Sequence, residues 1–387
     1  MPTIRLRATP PTAGRRRGRH SFMLDIPLFQ SESPAAVRQP TFAIAFGGGA
    51  GGGLGGLAAS AGSALGIGGA GGDSWQQHLV SLRVELGLAP FVDVVELVVA
   101  TGAQTPTVAV GDEGTVALGY GDADTTLVFT GRVARISYGM GIRTVTVTNG
   151  GAQLAQLRLN QSYEQQSAGE IVTELTGAAE VSTDIVENGV DFPFYVVADG
   201  RSAYQQIAEL ARKSDYGAWI TAAGKLTFAP LDEGDPVATF TYGENILSLQ
   251  INDAAPTVGA IMTVGEGAAG SQGSNAWPWL VKDPSAVTGS TGAATPARLV
   301  QDGALRSGAA TQSVADSVSK AADRLKITGR LLAPGAPTVI PASTIAVANA
   351  PTDLANGNFL VQRVRHHFSK DMGFTTSIVF SKIGGLI

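Results

Sequence analysis

From His78 to Leu88 the chain alternates without interruption. Val80, Leu82, Val84, Leu86 and Leu88 fall on one side and Ser81, Arg83 and Glu85 on the other. A period of two is the mark of a strand with one face buried. The same reading predicts strands over 92–99, 115–120, 126–138 and 142–148, after a strand-like TFAIAF at 41–46. Turn residues separate them: Thr105-Pro106, Gly111-Asp112, Gly121-Asp122, Gly139 and Gly141. Short strands with regular turns point to an antiparallel barrel or sandwich.

The period then changes. Ile171, Val172 and Leu175 within 167–179 are spaced for a helix, and a strand is predicted at 193–197. A second helix follows, with Tyr204, Ile207, Ala208 and Ala211 on one face, Asp199 or Ser202 as its cap and Gly217 just past its end. A hairpin turning at Ala223-Gly224 closes this small α/β unit, 165–232. Strands return at 237–242, 246–251 and 257–264. Residues 265–310, rich in Gly, Ser, Ala, Thr and Pro, read as a loop. A helix over 312–326 precedes strands at 338–340, 343–348, 358–368 and 373–382. The expected organisation is a basic arm, 1–40; a β-rich unit, 41–150; the α/β unit; and a second β-rich unit, 236–387. The fold class is mainly β with an α+β insertion.

Composition narrows the function. With 6% aromatic and 15% charged residues, the core is built of Val, Leu, Ile and Ala, and much of the surface suits contact with partners. The net charge of −5 excludes a generally basic nucleic-acid binder. The imbalance is local: residues 1–20 hold six Arg and no acid. That cluster reads as a solvated or partner-bound tail, with phosphate or nucleic-acid binding as the alternative. There are no cysteines, so thiolate metal sites and Cys nucleophiles are excluded.

Between Gly47 and Gly72, 14 of 26 residues are Gly. The tract is long enough to span a bilayer, but each Gly costs roughly 1 kcal/mol in a helix relative to Ala, so no membrane insertion is expected. Gly47, Gly49 and Gly52 satisfy GxGxxG without the helix and second strand that dinucleotide binding needs. The tract instead reads as a surface loop in which Gly permits close backbone approach. Gly47, Gly52, Leu54 and Leu57 are candidate interface residues, as are Trp277 and Trp279, which either fold back on the core or anchor a partner. Arg16-Arg17 with Ala59-Ser60-Ala61 imitates an export signal, but Asp25, Glu32 and Arg38 interrupt its apolar segment, and no signal peptide is expected.

Catalytic patterns fail one by one. Lys225 follows Gly224, but Leu226 stands where a phosphate loop needs Ser or Thr. Gly72-Asp73-Ser74 imitates an esterase nucleophile without its Asp/His partner. His366 and His367 are strand neighbours that point to opposite faces, which suits a structural or interface role better than a shared metal. Asp112-Glu113 and Asp232-Glu233 read as solvated turn charge. No catalytic residue, metal or cofactor is expected.

The order of elements resembles the baseplate hub family of contractile phage tails and related injection systems: late-control D proteins and the hub portion of type VI secretion spike proteins. Three stretches carry the likeness: 167–186 followed by 198–231, then 310–347, and 356–382. The last matches the family's closing hairpin at Gly357, Phe359, Val361, Val364, His366 or His367, Gly373, Thr375 and Ile378. The basic N-terminus and the glycine tract are extra, and with Ile387 soon after the last hairpin no fused spike is expected.

The resemblance implies two related antiparallel β-barrel domains flanking the α/β domain, in a homotrimer that adapts a threefold spike to a sixfold inner tube. The implied partners are further copies of the chain, the tube ring, a separate spike protein and other baseplate proteins. No small-molecule substrate or specific nucleic acid is implied. Assembly is expected in the bacterial cytoplasm, into a virion tail or injection particle. The alternatives are a phage-associated cell-wall hydrolase and a secreted surface β-protein.

Overall fold

The computed structural model describes residues 39–47, 72–121, 125–231, 234–255, 258–266 and 287–383. The basic arm, most of the glycine tract, Asp232-Glu233, Trp277 and Trp279 lie outside the described residues.

The first six strands are β1 (Pro40–Phe46), β2 (Leu79–Gly87), β3 (Val94–Ala100), β4 (Glu113–Tyr120), β5 (Thr126–Tyr138) and β6 (Ile142–Thr148), with helix α1 (Gly72–His78) entering β2. They hydrogen-bond in the order β1-β4-β5-β6-β3-β2, every pair antiparallel. Alternate residues turn inward as the period-two pattern requires: Leu82, Val84, Val95, Leu97, Val145 and Val147 are fully buried. The alternation puts Val80 on that face too, yet it is exposed, because a bulge between Leu79 and Ser81 takes it out of step.

The α/β unit contains helix α2 (Gly150–Gln156), β7 (Gln161–Ser167), α3 (Ala168–Ala178), β8 (Thr183–Val186), β9 (Asp191–Val197), α4 (Ala203–Ser214), β10 (Tyr216–Ile220) and β11 (Leu226–Pro230). Both larger helices start with a capping box, Ser167 with Glu170 and Ser202 with Gln205. Of the two candidate caps for α4, the structure uses Ser202. The helix ends on Asp215 in the left-handed conformation, and Gly217 lies two residues on, inside β10.

After β12 (Ala238–Thr241) and β13 (Ser248–Asp253), the stretch expected as a loop contributes two strands. β14 (Ala260–Gly265) is flanked by β15 (Thr288–Gly292) and β16 (Ala297–Asp302) in a separate sheet. Helix α5 (Gly308–Arg324) covers it, and Gly289 lets its backbone approach Thr311 and Gln312 closely. Ile261, Leu305, Val314 and Val318 share one core with the α/β unit, so this segment packs away from the last strands.

The chain closes with β17 (Ile327–Pro334), β18 (Thr344–Ala348), β19 (Gly357–Ser369) and β20 (Gly373–Lys382). No strand forms at 338–340, whereas β17 is a strand that the sequence pattern does not predict. These four join β12 and β13 in the order β13-β17-β20-β19-β18-β12. Numbered within its own set, each group of six has the order 2-3-6-5-4-1. The chain therefore repeats one strand order twice. Four of the five pairings also keep their antiparallel sense, and β12–β18 differs by being parallel.

Candidate functional site

The two six-strand sets meet in a ladder between β2 and β19, which makes them one twelve-stranded sheet. β19 is long enough for two partners. Its first residues pair with β18, and Arg363–Ser369 pair with Gly87–Ser81. This seam is the candidate site, since it fixes how the repeated units stand to one another.

On the outer face of the seam Glu85 lies directly opposite Arg365, and the side chains meet at 2.8 Å. Arg83 bridges Glu85 at 3.5 Å and Glu96 at 3.0 Å. Such partly exposed pairs contribute about 1 kcal/mol or less each, so they act more on register than on stability.

On the inner face His366 is fully buried opposite Val84. Its Nδ1 lies 3.0 Å from Thr376 Oγ1, which also accepts the Ala336 N–H at 2.8 Å. Nε2 closes no hydrogen bond of good geometry. Burial pulls the imidazole down to about 4, against a smaller opposing pull from the Val339 backbone. Aromatic contacts finish the face. Phe374 packs edge-on to His366, Phe42 of β1 meets Phe368 at 5.0 Å, and Tyr120 stacks on Phe374 while donating its hydroxyl to the Phe374 carbonyl.

One end of the seam anchors the α/β unit. Asp93 is buried. Its carboxylate accepts the Gly87 N–H at 2.9 Å and the Asn149 amide at 2.8 Å, while Asn149 Oδ1 caps α2 by accepting from Gly151 N–H. Burial pushes Asp93 up to about 7, with both hydrogen bonds pulling the other way. The Tyr204 hydroxyl of α4, itself held well above 10 by burial and by Asp93, finds no hydrogen-bond partner among the described residues. A Cβ on Gly87 would meet the Phe91 ring at 2.7 Å, and the Arg363 guanidinium covers that ring at 4.1 Å.

A cleft of about 580 Å³ opens beside this corner, lined by Pro90, Arg201, Arg212, Arg324 and Gln362 among others. Arg212 bonds Glu209 within α4 at 2.6 Å, and Arg324 bonds Asp215 at 2.7 Å, which ties the end of α4 to α5. Among the described residues no group of three His, Asp or Glu gathers to hold a metal, and no helix is long and apolar enough to cross a membrane.

The structure brings the closing-hairpin residues together. Phe359, Val361, Val364 and His366 are buried on β19, Gly357 and Gly373 take positive φ at 125° and 74°, and Thr375 stands opposite His367. Ile378 is buried across from Val364. Gly47, with φ 85°, ends β1 at an exposed position. Gly52, Leu54, Leu57, Trp277 and Trp279 lie outside the described residues. Asp112 and Glu113 behave as turn charge, accepting the Ala109 N–H and bridging Arg132. Sequence reasoning does not single out Thr376 or Asp93. An Asp following Phe-Val carries no local mark of burial, and His366 bonds the Thr beside the one that matches the family pattern.

No protein-family model and no curated protein matches the chain. Solved structures do. A tail protein from Neisseria meningitidis aligns over 79% of this chain and 93% of its own, with TM-score 0.60 and 15% identity. The 43 kDa tail protein of prophage MuSo2 from Shewanella oneidensis aligns over 78% and 97%, with TM-score 0.57 and 10% identity. An Escherichia coli component of the type VI secretion system, structurally similar to the phage tail proteins gp27 and gp5, aligns over 79% and 74% with TM-score 0.51 and 10% identity. At these identities the likeness is one of fold, and the fold is the one that phage tail proteins share with that secretion component.

Proposed function

We propose that the chain is a structural hub of a contractile tail or injection-system baseplate. Three copies form a ring, and each contributes two barrel-like units, its two six-strand sets. Six similar faces from three chains then meet a sixfold tube on one side and a threefold spike on the other. Partners are the tube ring, a separate spike protein and neighbouring baseplate proteins, and assembly occurs in the bacterial cytoplasm. The basic arm, the glycine tract with Leu54 and Leu57, and the 265–310 segment with Trp277 and Trp279 supply additional contact surface.

The observation that carries this reading is the repeated strand order. A duplicated sheet joined to itself through β2 and β19 turns a threefold arrangement of chains into six similar units. The buried corner residues around Asp93 and the seam residues around His366 hold the two units and the α/β unit in fixed relation, which a mechanical adaptor requires. Mass photometry tests the reading. A particle of three chain masses is expected, and a stable monomer that cleaves cell-wall material sinks it.

A further inference from the structure

The two six-strand sets differ in one respect that points to a partner. In the second set the distal half of β19 is paired on both edges, by β20 and by β2 of the first set. The equivalent half of β5 is paired on one edge alone. Arg135–Tyr138 bond β6, and among the described residues nothing bonds their other edge. Likewise β2 is paired on both edges, by β3 and β19, whereas among the described residues its counterpart β13 bonds β17 alone. One joint made within the chain thus has both of its halves repeated elsewhere, each unpartnered.

The repeat also fixes a register. β5 and β19 each carry one bulge against the following strand, at Ala134 and at Gln362. Placing Ala134 on Gln362 puts Val133 on Val361, Ile136 on Val364 and Tyr138 on His366. Following the ladders outward puts Val145 on Ile378, Leu97 on Leu331 and Val84 on Ile251. Apolar residues fall on apolar residues at each of these steps except Tyr138 on His366. Val84 lies opposite His366 and Glu85 opposite Arg365 in the existing joint. The same joint built from the other halves sets Ile251 opposite Tyr138, Asn252 opposite Ser137 and Asp253 opposite Ile136.

We propose that β13 of one copy of this chain adds to the free edge of β5 in the next copy, in that register. The occupant is a second copy because β13 lies at the far edge of its own sheet, separated from its own β5 by the whole of the β6-β3-β2-β19-β20-β17 path. The surface fits this use. Tyr138 is 76% and Met140 101% exposed at the β5–β6 tip, a costly arrangement for a free hairpin. Ile251 and Leu249 on β13 are half-buried and turn the same way. The contact is head-to-tail, so repetition builds a ring where the rotation closes and a filament where it does not, and closure into a ring of three rests on the hub reading.

The chain has no cysteine, which makes cross-linking clean. The double variant Ser137→Cys/Asn252→Cys is oxidised mildly and run on a non-reducing gel, beside each single variant and Ser137→Cys/Ser248→Cys as an out-of-register control. Covalent multimers in the first variant alone, at least tenfold above the controls, are the expected result. Mass photometry on the same samples separates the failures. A trimer without this cross-link, or with cross-links equally strong in a single variant, overturns the ladder and leaves the hub reading standing. A monomer at every concentration overturns both. In a second arm, Tyr138→Glu/Met140→Glu should raise the concentration for half-assembly at least tenfold with an unchanged circular dichroism spectrum. Unchanged assembly overturns the ladder.

Discussion

His366 and Thr376 sit across from each other on β19 and β20, joined at 3.0 Å from Nδ1 to Oγ1 in a fully buried site. Thr376 Oγ1 also accepts the Ala336 N–H, and burial keeps the imidazole neutral. The pair lies at the β2–β19 seam, where a charge would face Val84 and Phe374 rather than water.

This arrangement sets an acid limit on the seam. The folded imidazole titrates at about 4 against 6.5 when exposed. Between those values the unfolded chain binds a proton that the folded chain does not. Stability is therefore fully present above about pH 6.5 and falls as the pH drops toward 4, by on the order of 3 kcal/mol. His366→Asn keeps an acceptor near the position of Nδ1 and cannot titrate. Urea unfolding from pH 7 to 4 should show the difference between wild type and variant narrowing with acid. A constant difference would mean that the ring titrates alike in the folded and unfolded chains.

Asp93 works in the opposite sense. Its folded value of about 7 stands above the ordinary 3.8, so the folded chain holds a proton that the unfolded one releases between those limits. Its contribution is greatest below about pH 4 and is lost as the pH rises through 7. Asp93→Asn removes that slope, although its amide meets the Asn149 amide donor head-on and lowers stability overall. The measurement is Tm against pH for both proteins. The wild-type advantage should shrink from pH 5 to pH 7, and an advantage that grows would show that the hydrogen bonds from Gly87 and Asn149 prevail over burial.

How much of this is legible in the sequence depends on where each signal lies. β5, β6 and β20 emerge at their predicted bounds because alternation and flanking glycines are local. α4 is legible from its apolar face and from Ser202. β17 escapes notice because it follows α5 with no turn residue between them, and because Gly329 and Pro334 oppose strand propensity. Gly329 is there since a Cβ would collide with the Phe380 ring. β15, with the sequence TGSTG, is a strand through its pairing with β14 and its approach to α5, neither visible in composition. The seam pairs residues some 280 positions apart, and the repeat behind it is preserved in strand order far more than in residues.

Gly87 is the tightest point of the corner. An added Cβ meets Phe91 at 2.7 Å, and Phe91 cannot turn away without losing the Arg363 guanidinium stacked on it. Gly87→Ala should cost about 1–3 kcal/mol, in line with overpacking elsewhere. Gly177→Ala, where a Cβ meets nothing within 4 Å inside α3, should be neutral or stabilising. Denaturant midpoints of the two variants check the contrast, and equal effects would show that Phe91 moves freely.

Lys213 ties the α/β unit to the β14–β16 sheet. Its ammonium is buried with Asp302 at 2.5 Å and Glu209 at 3.8 Å, and it lies 5.1 Å from the centre of the Tyr195 ring. Removing one partner of a buried pair leaves the other charge stranded, at a cost of about 3 kcal/mol or more. Asp302→Asn should therefore be more damaging than Lys213→Met. It strands the ammonium, and Glu209 alone is too distant to replace the lost carboxylate. Lys213→Met instead leaves a carboxylate that still accepts the Ala304 N–H. The double variant Lys213→Met/Asp302→Asn should recover much of the loss, because no buried charge then lacks a partner. A double-mutant cycle by guanidinium unfolding measures this directly. Additive losses would show that water reaches the ammonium and that the two sheets are held by their shared apolar core alone.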